Sequence, residues 1–541
     1  METKEIQQSI DSSSNLIKPR DVRAYLLEGR EIALLDVREE AQHAEGHPLF
    51  AANLPFSRLE LDVYARLPRR TVSIAVFDDG GNLAMRAAGK LQTLGYTNVS
   101  LLEGGLQGWR DAGYEVFRDV NAPSKAFGEL VEDRRHTPSL SAQEVKKLID
   151  AQANIAIVDV RRFDEFHTMS IPTATSVPGG ELALRLRELA PDPKTQIIVN
   201  CAGRTRGIIG TQSLINVGLP NKVSALRNGT IGWALASQEL DHGQTKRFPE
   251  VGEKVRAIAA AAARGLANKA GVLRTRVEEV EKWLQDADIT IYRFDVRTPD
   301  EYEKGHLQGY RNAPGGQLVQ ETDMFAPVRN GRIVLLDDDG VRANMSASWL
   351  AQMGWEVFVV DGVEVAEFTV TGEGKDPLAL ILTVPEYALI EAPLLHEWLN
   401  EDGIVILDFA RSPEYAKQHI VTSWFASRSN LDEVLTSISY AKKIVLTSPG
   451  GVAAKLAWFD IAKERSKIPT LVLTGGTKSW VEHGFSTDNS NARYACRPID
   501  RYLRPYEGND VTPEAMQAYL DWEYGLVKQL ERDGTHRFRV I

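Results

Sequence analysis

The seven residues Cys201-Ala202-Gly203-Arg204-Thr205-Arg206-Gly207 put a thiol, two glycines and two guanidinium groups into one short stretch. The apolar run Ile197–Asn200 before them reads as a buried strand, and Gly207–Asn216 after them as a helix. Cys201 therefore falls at the carboxyl end of a strand, where open α/β sheets place their ligands. A loop of this form curls its backbone N–H groups around the sulfur, and the helix amino terminus behind it adds positive potential. Gly203 lets the backbone turn without a Cβ clash, and Arg204 and Arg206 supply two cations. All three effects favour thiolate over thiol, and such surroundings lower a thiol from about 8.5 to roughly 3.5–7.5. An activated thiolate is a nucleophile for two-step covalent catalysis. The alternative is a small buried hydrophobe, the usual state of a free cysteine. A Cys followed closely by Gly and two Arg is poor material for a core.

The elements that must position this loop occur four times. Each repeat opens with a strand ending in an acidic residue: Leu34–Arg38 (LLDVR), Ile157–Arg161 (IVDVR), Arg293–Arg297 (RFDVR) and Ile406–Arg411 (ILDFAR). A second apolar strand leads to a polar loop beginning at Asp78, Cys201, Asp337 or Ser448. A strand exit containing Gly and an aromatic residue closes each repeat: Leu102–Trp109, Leu226–Trp233, Val359–Phe368 and Leu473–Trp480. In the second repeat Ser141–Asp150 reads as a helix with a Ser141/Glu144 capping box, and Ile155–Val160 and Lys222–Leu226 read as strands. Strands alternating with helices imply an α/β fold with a parallel sheet buried on both faces. The expected divisions are a first domain over 1–127, a second over 128–250, a helical linker over 251–271, a third domain over 272–372, a fourth over 373–490 and a helical tail over 491–541. The Ala-rich stretch Ala257–Gly271 is either a spacer or the last helix of the second domain. Thr512–Arg532 reads as helix with a Thr-Pro start, packing on the body or on a second copy, which leaves room for a homodimer.

The combination of DVR, a Pro-bounded turn, strand–Cys–Gly loop–helix and NGTIGW resembles the rhodanese (sulfurtransferase) domain. The resemblance runs through the chain as four tandem rhodanese-like domains, each a mostly parallel central sheet flanked by helices. The third copy carries the opening motif most fully, in Asp295–Gly316 (DVRTPDEYEKGHLQGYRNAPGG). The resemblance implies that Cys201 takes a sulfane sulfur from a small anionic donor such as thiosulfate or a mercapto-acid. It would hold the sulfur as a persulfide, cradled by Ala202, Gly203, Arg204, Thr205, Arg206 and Gly207, and pass it to a thiol, cyanide or protein acceptor. No cofactor and no metal is called for. Cysteine phosphatases and arsenate reductases use a wider Cys-x5-Arg loop; here Arg206 stands at Cys-x4-Arg and Gly207 at the x5 place. CAGRTR matches neither the usual thiosulfate-type loop nor the usual mercaptopyruvate-type loop. The second copy also has Met169-Ser170 where the third has Gly305-His306.

Asp159 and Arg161 are expected to fix turns and pair with Glu165; because the Asp recurs in all four repeats, its role is mainly structural. Arg227, Asn228 and Gly229 either line the pocket rim or form a plain turn. Trp233 reads as a core anchor, His167 as a solvated helix-end residue and Cys496 as a spare thiol, a second sulfur-relay site being the alternative. Carboxylates cannot carry sulfane sulfur, so the Asp78 and Asp337 loops, and the Ser448 loop, read as silent scaffolds that shape the entrance to the second domain or mediate assembly. Aspartates there also serve as helix caps. A sulfur-sensing or partner-binding scaffold without catalysis is the alternative for the whole chain.

The 541 residues suit three to four domains, and 43% hydrophobic with 25% charged residues is ordinary for a globular protein. The net charge of −11 argues against nucleic acid as a partner. Two cysteines exclude a disulfide framework and most structural zinc sites. No stretch approaches the roughly 20 apolar residues that cross a membrane. The polar start METKEIQQSIDSSSN lacks the apolar core of a signal peptide. The expected home is cytoplasmic and reducing.

Overall fold

The computed structural model describes residues 15–286, 288–372, 382–399, 401–463, 468–505, 507 and 511–541. The start of the chain up to residue 14 and the expected division at 373 lie outside the described residues.

In the second repeat the strands are β1 (Ser139–Leu140), β2 (Ile155–Asp159), β3 (Thr175–Ser176), β4 (Gln196–Asn200) and β5 (Val223–Leu226). They form one parallel sheet in the order β1-β5-β4-β2-β3. The same order recurs in all four repeats, with added edge strands in the first and fourth. Val158, Ile198, Val199 and Ile197 are buried, as a sheet covered on both faces requires. The helix Ala142–Asp150 starts on the expected capping box, both Ser141 and Glu144 bonds being made.

Six helices carry the argument: α1 (Ala122–Arg135), α2 (Thr205–Asn216), α3 (Glu253–Ala270), α4 (Arg342–Gln352), α5 (Pro513–Tyr524) and α6 (Leu526–Asp533). Residue 127 falls inside α1, which runs unbroken between the first and second sheets and packs on both α2 and α6. Gly128 permits this: a Cβ there would lie 2.8 Å from Thr205 Cγ2. The small residues Ala259, Ala263, Ala267 and Ala270 form the buried side of α3, which packs on α4 of the third repeat and on Leu182–Leu189 of the second. It braces two repeats rather than spacing them apart.

The repeats share core and edges. Val328–Arg329, from the third repeat, pairs antiparallel with Ile32–Ala33 of the first sheet. Arg493–Tyr494, expected in the tail, adds a parallel strand to the fourth sheet. The second and third repeats meet through matching Pro-Gly-Gly loops, where a Cβ on Gly180 would lie 2.9 Å from Gly316 N. Beside them the buried Arg342 holds Glu181 at 3.0 Å, Asp338 at 2.9 Å and Asp339 at 2.5 Å. The first and fourth repeats meet through the equivalent loop, where Arg428 binds Glu60 and Asp460, each at 2.8 Å. Lys90 binds the same two carboxylates. Breaking such a buried network by removing one member leaves an uncompensated charge.

The opening motif also explains itself. Asp36, Asp159 and Asp295 each pair with the Arg two residues on, at 2.5, 2.8 and 2.6 Å. In the fourth repeat that place is Ala410, and burial pushes Asp408 up to about 7. A carboxyl raised in the folded state contributes stability that is whole below its unfolded value of about 3.9. That contribution is lost as pH climbs through 7. We therefore expect the first thermal-unfolding midpoint of wild type to fall between pH 6 and pH 8.5, and the fall to be smaller in Asp408→Asn. Equal slopes by calorimetry contradict this.

Candidate active site

Cys201 follows β4 directly, and the loop Cys201–Arg204 leads into α2. Its Sγ accepts the N–H of Gly207, the third residue of α2. A Cβ on Gly207 would stand 3.3 Å from that sulfur, so glycine leaves room for the larger atom. The closing motif holds the loop from the other side. Thr230 N and Ile231 N donate to the carbonyls of Cys201 and Ala202, both at 2.9 Å. Gly229 has φ +54°, and a Cβ there would collide with the Cys201 carbonyl oxygen and lie 2.8 Å from that of Gly203.

The other three repeats use the same frame. The side chain opening each loop accepts the amide six residues on: Asp78 from Ala84 at 3.0 Å, Asp337 from Ala343 at 2.8 Å, Ser448 from Ala454 at 3.2 Å. Asp78 and Asp337 also take Gly80 N and Gly340 N, at 2.9 and 3.0 Å. An aspartate in these loops fills the amide cradle with an oxygen of the chain's own, as a helix cap does.

Cys201 is 2% exposed. Burial pushes the Cys201 thiol up to about 11, against the pull of Arg206 and the Gly207 amide; Glu523 and Asp159 push the same way as burial. The expected lowering into the thiolate range is thus not met in this state. Burial outweighs Arg206, the one arginine that pulls on the sulfur. Arg204 points away from the sulfur: Nε and Nη2 each reach Glu129 at 2.8 Å, Nη2 also binds Glu132, Nη1 reaches Asn228 at 3.2 Å, and the guanidinium lies over Tyr524. Arg206 forks onto Glu165 at 2.8 and 2.9 Å. Burial of Glu165 opposes ionisation, but Arg206, Arg161 and Arg162 outweigh it and hold that carboxyl well below its usual range. The pair recurs as Arg342–Glu301 in the cysteine-free third repeat, so its origin is structural.

Asp159 and Arg161 bind each other beneath the loop, and Asn200 donates to Asp159 at 2.8 Å. Glu165 therefore takes Arg206 and Arg162 as partners, where pairing with Arg161 was expected. Ala202 and Thr205 are buried in the loop. Arg227 turns outward to Ser139 Oγ at 3.1 Å. Trp233 is fully buried and donates to Glu239 O at 2.8 Å. His167 is exposed and bonds Gln244 O. Cys496 sits in the core of the fourth repeat, and burial pushes its thiol up to about 12.

A polar chamber of about 610 Å³ lies against the site, walled by all four repeats and the tail. Arg206, Glu165 and Arg162 form its second-repeat wall; His43, Glu321, Glu414 and Arg504 stand on the others. The residues that sequence reasoning passed over come from outside the repeat: Glu129 and Glu132 on α1, and Tyr519, Glu523 and Tyr524 on α5. The aromatic and charged composition of the tail was the one signal for the last three.

The Rhodanese-like domain family matches at residues 19–112, 141–236, 276–363 and 391–483, and the chain belongs to that family in four copies. Among solved structures, a thiosulfate sulfurtransferase from Pseudomonas aeruginosa is 56% identical, with a TM-score of 0.94, covering 97% of this chain and 100% of that one. An uncharacterized protein of Synechocystis is 30% identical over 92 residues, 17% of this chain; the match spans 50% of that relative's length. Among the described residues no helix is long and apolar enough to cross a membrane.

The burial of Cys201 has a direct consequence. Iodoacetamide should alkylate it in the native protein at pH 8 at least about ten-fold more slowly than in the denatured chain, with the native rate still climbing above pH 9. A native rate that levels off below pH 8 would show a thiolate already formed.

Proposed function

We propose that this chain is a sulfurtransferase of the thiosulfate type, with Cys201 as its one sulfur carrier. The observation that carries the reading is the cradle itself: of four equivalent loops, one presents a sulfur to the amide that the others give to a carboxylate or a hydroxyl. The full-length likeness to a thiosulfate sulfurtransferase supports it.

The chemistry divides into two displacements. The Cys201 thiolate attacks the outer sulfur of thiosulfate; the S–S bond of the donor breaks, sulfite leaves with the electron pair, and Cys201 carries a persulfide anion. An acceptor nucleophile, cyanide or a thiolate, then attacks the terminal sulfur, and Cys201 leaves as thiolate. The cradle amides of Ala202–Gly207 stabilise the anion at each stage, and Arg206 contributes charge from the chamber wall. Asp159, Arg161 and Gly229 hold the loop in place. The chamber gives the three cysteine-free repeats a role, as walls of the compartment through which an anionic donor reaches Arg206. A reduced thiol as carrier suits a cytoplasmic setting.

In a thiosulfate:cyanide assay, Cys201→Ala should abolish thiocyanate formation and Cys496→Ser should leave it at the wild-type rate. Gly229→Ala, which forces a side chain against the Cys201 carbonyl, should lower the rate by at least about ten-fold with the fold retained by circular dichroism. Equal activity of Cys201→Ala and wild type would end the proposal.

A further inference from the structure

The tail lies outside the four family matches, yet it closes over the cysteine loop. Helix α5 begins with Thr512 capping Ala515 N. It lays Tyr519 and Leu520 against Ile231 of the closing motif. One turn further on, Glu523 is 1% exposed. Its Oε1 accepts the Tyr519 hydroxyl at 3.2 Å, while Oε2 is buried with no hydrogen-bond partner. That second oxygen faces the cysteine loop: a Cβ on Gly203 would stand 3.3 Å from it. A side chain at residue 203 would thus meet the tail carboxyl.

The charged groups facing Glu523 come from three elements. Lys125, Glu129 and Asp119 lie on α1 and the turn before it, Arg204 on the cysteine loop, and Tyr519 on α5 itself. Lys125 is 3% exposed, with Nζ 2.9 Å from Asp119 Oδ1 and above the rings of Tyr519 and Trp522. Arg204 is engaged by Glu129 and Glu132. Lys125, paired with Asp119, and Glu523, with one oxygen unpartnered, are thus both buried beside the loop that holds the sulfur.

We propose that Glu523 is a positioning residue for Cys201: it sets the charge against which the Cys201 thiolate, and then its persulfide, must form. The proposal rests on Cys201 being the reactive sulfur. Burial pushes Glu523 up to about 8 and draws Lys125 down. An ionised Glu523 raises the thiol. Docking of the tail and reactivity of the sulfur are thereby linked.

The test uses the full chain and needs no turnover, so it stands apart from the assay of sulfur transfer. The rate of iodoacetamide alkylation of Cys201 is followed by peptide mass spectrometry from pH 7.5 to 10 in wild type, Glu523→Gln and Glu523→Asp. Below its midpoint this rate follows the thiolate fraction, and removing a charge at this range shifts a midpoint by about one unit. Glu523→Gln should be alkylated about ten-fold faster than wild type at pH 9, and Glu523→Asp, which keeps the carboxylate, at a rate near that of wild type. A difference between the two variants cannot come from loss of packing, since undocking of α5 would expose the sulfur and speed both. Any other pattern, including a shared acceleration or rates equal to wild type, overturns the proposal.

Discussion

The structure depends on one hydrogen bond made four times: the amide six residues beyond a strand end, donated to the side chain at that end. The bond closes the loop between a buried strand and the helix that follows, and it satisfies one of the orphan N–H groups at the helix start. Asp78, Asp337 and Ser448 fill this place with oxygen; Cys201 fills it with sulfur. An oxygen acceptor satisfies the cradle permanently. Sulfur satisfies it weakly as a thiol and well as a thiolate or persulfide, so the second repeat retains a driving force toward the charged forms. One atom type thus separates a reactive loop from three structural ones.

Around that bond the chain invests in holding repeats together. The third repeat lends a strand to the first sheet, α1 crosses between the first and second, α3 braces the second and third, and α5 and α6 return over α1. Buried arginines mark two matching joints, Arg342 between the second and third repeats and Arg428 between the first and fourth. The chamber is a product of this assembly, since no single repeat encloses it. In the proposed reading the three repeats without a cysteine loop are thus walls and braces for the second.

Much of this was legible in the sequence. The strands of each repeat, the Ser141–Glu144 cap and the place of Cys201 at a strand end follow from apolar runs, cap residues and Gly-rich turns, which are local signals. The direction of Arg204 was not legible, because it is decided by Glu129 and Glu132 some seventy positions earlier on a helix that a local reading divided at residue 127. The same holds for Glu523, which reaches the loop from the far end of the chain. Proximity to Cys201 in sequence suggested two cations on the sulfur. Pairing across the fold leaves one of them in reach, and burial then wins over it. The strand exchange at Val328–Arg329 was hidden for the same reason: a two-residue edge strand has no periodicity to read.

The most direct measurement is the mass of the Cys201 peptide after native protein meets thiosulfate, and again after cyanide is added. A gain of about 32 Da, one sulfur atom as persulfide, that appears with thiosulfate and disappears with cyanide is the expected result. A Cys201 peptide of unchanged mass after thiosulfate, or a gain that cyanide does not remove, would contradict the account.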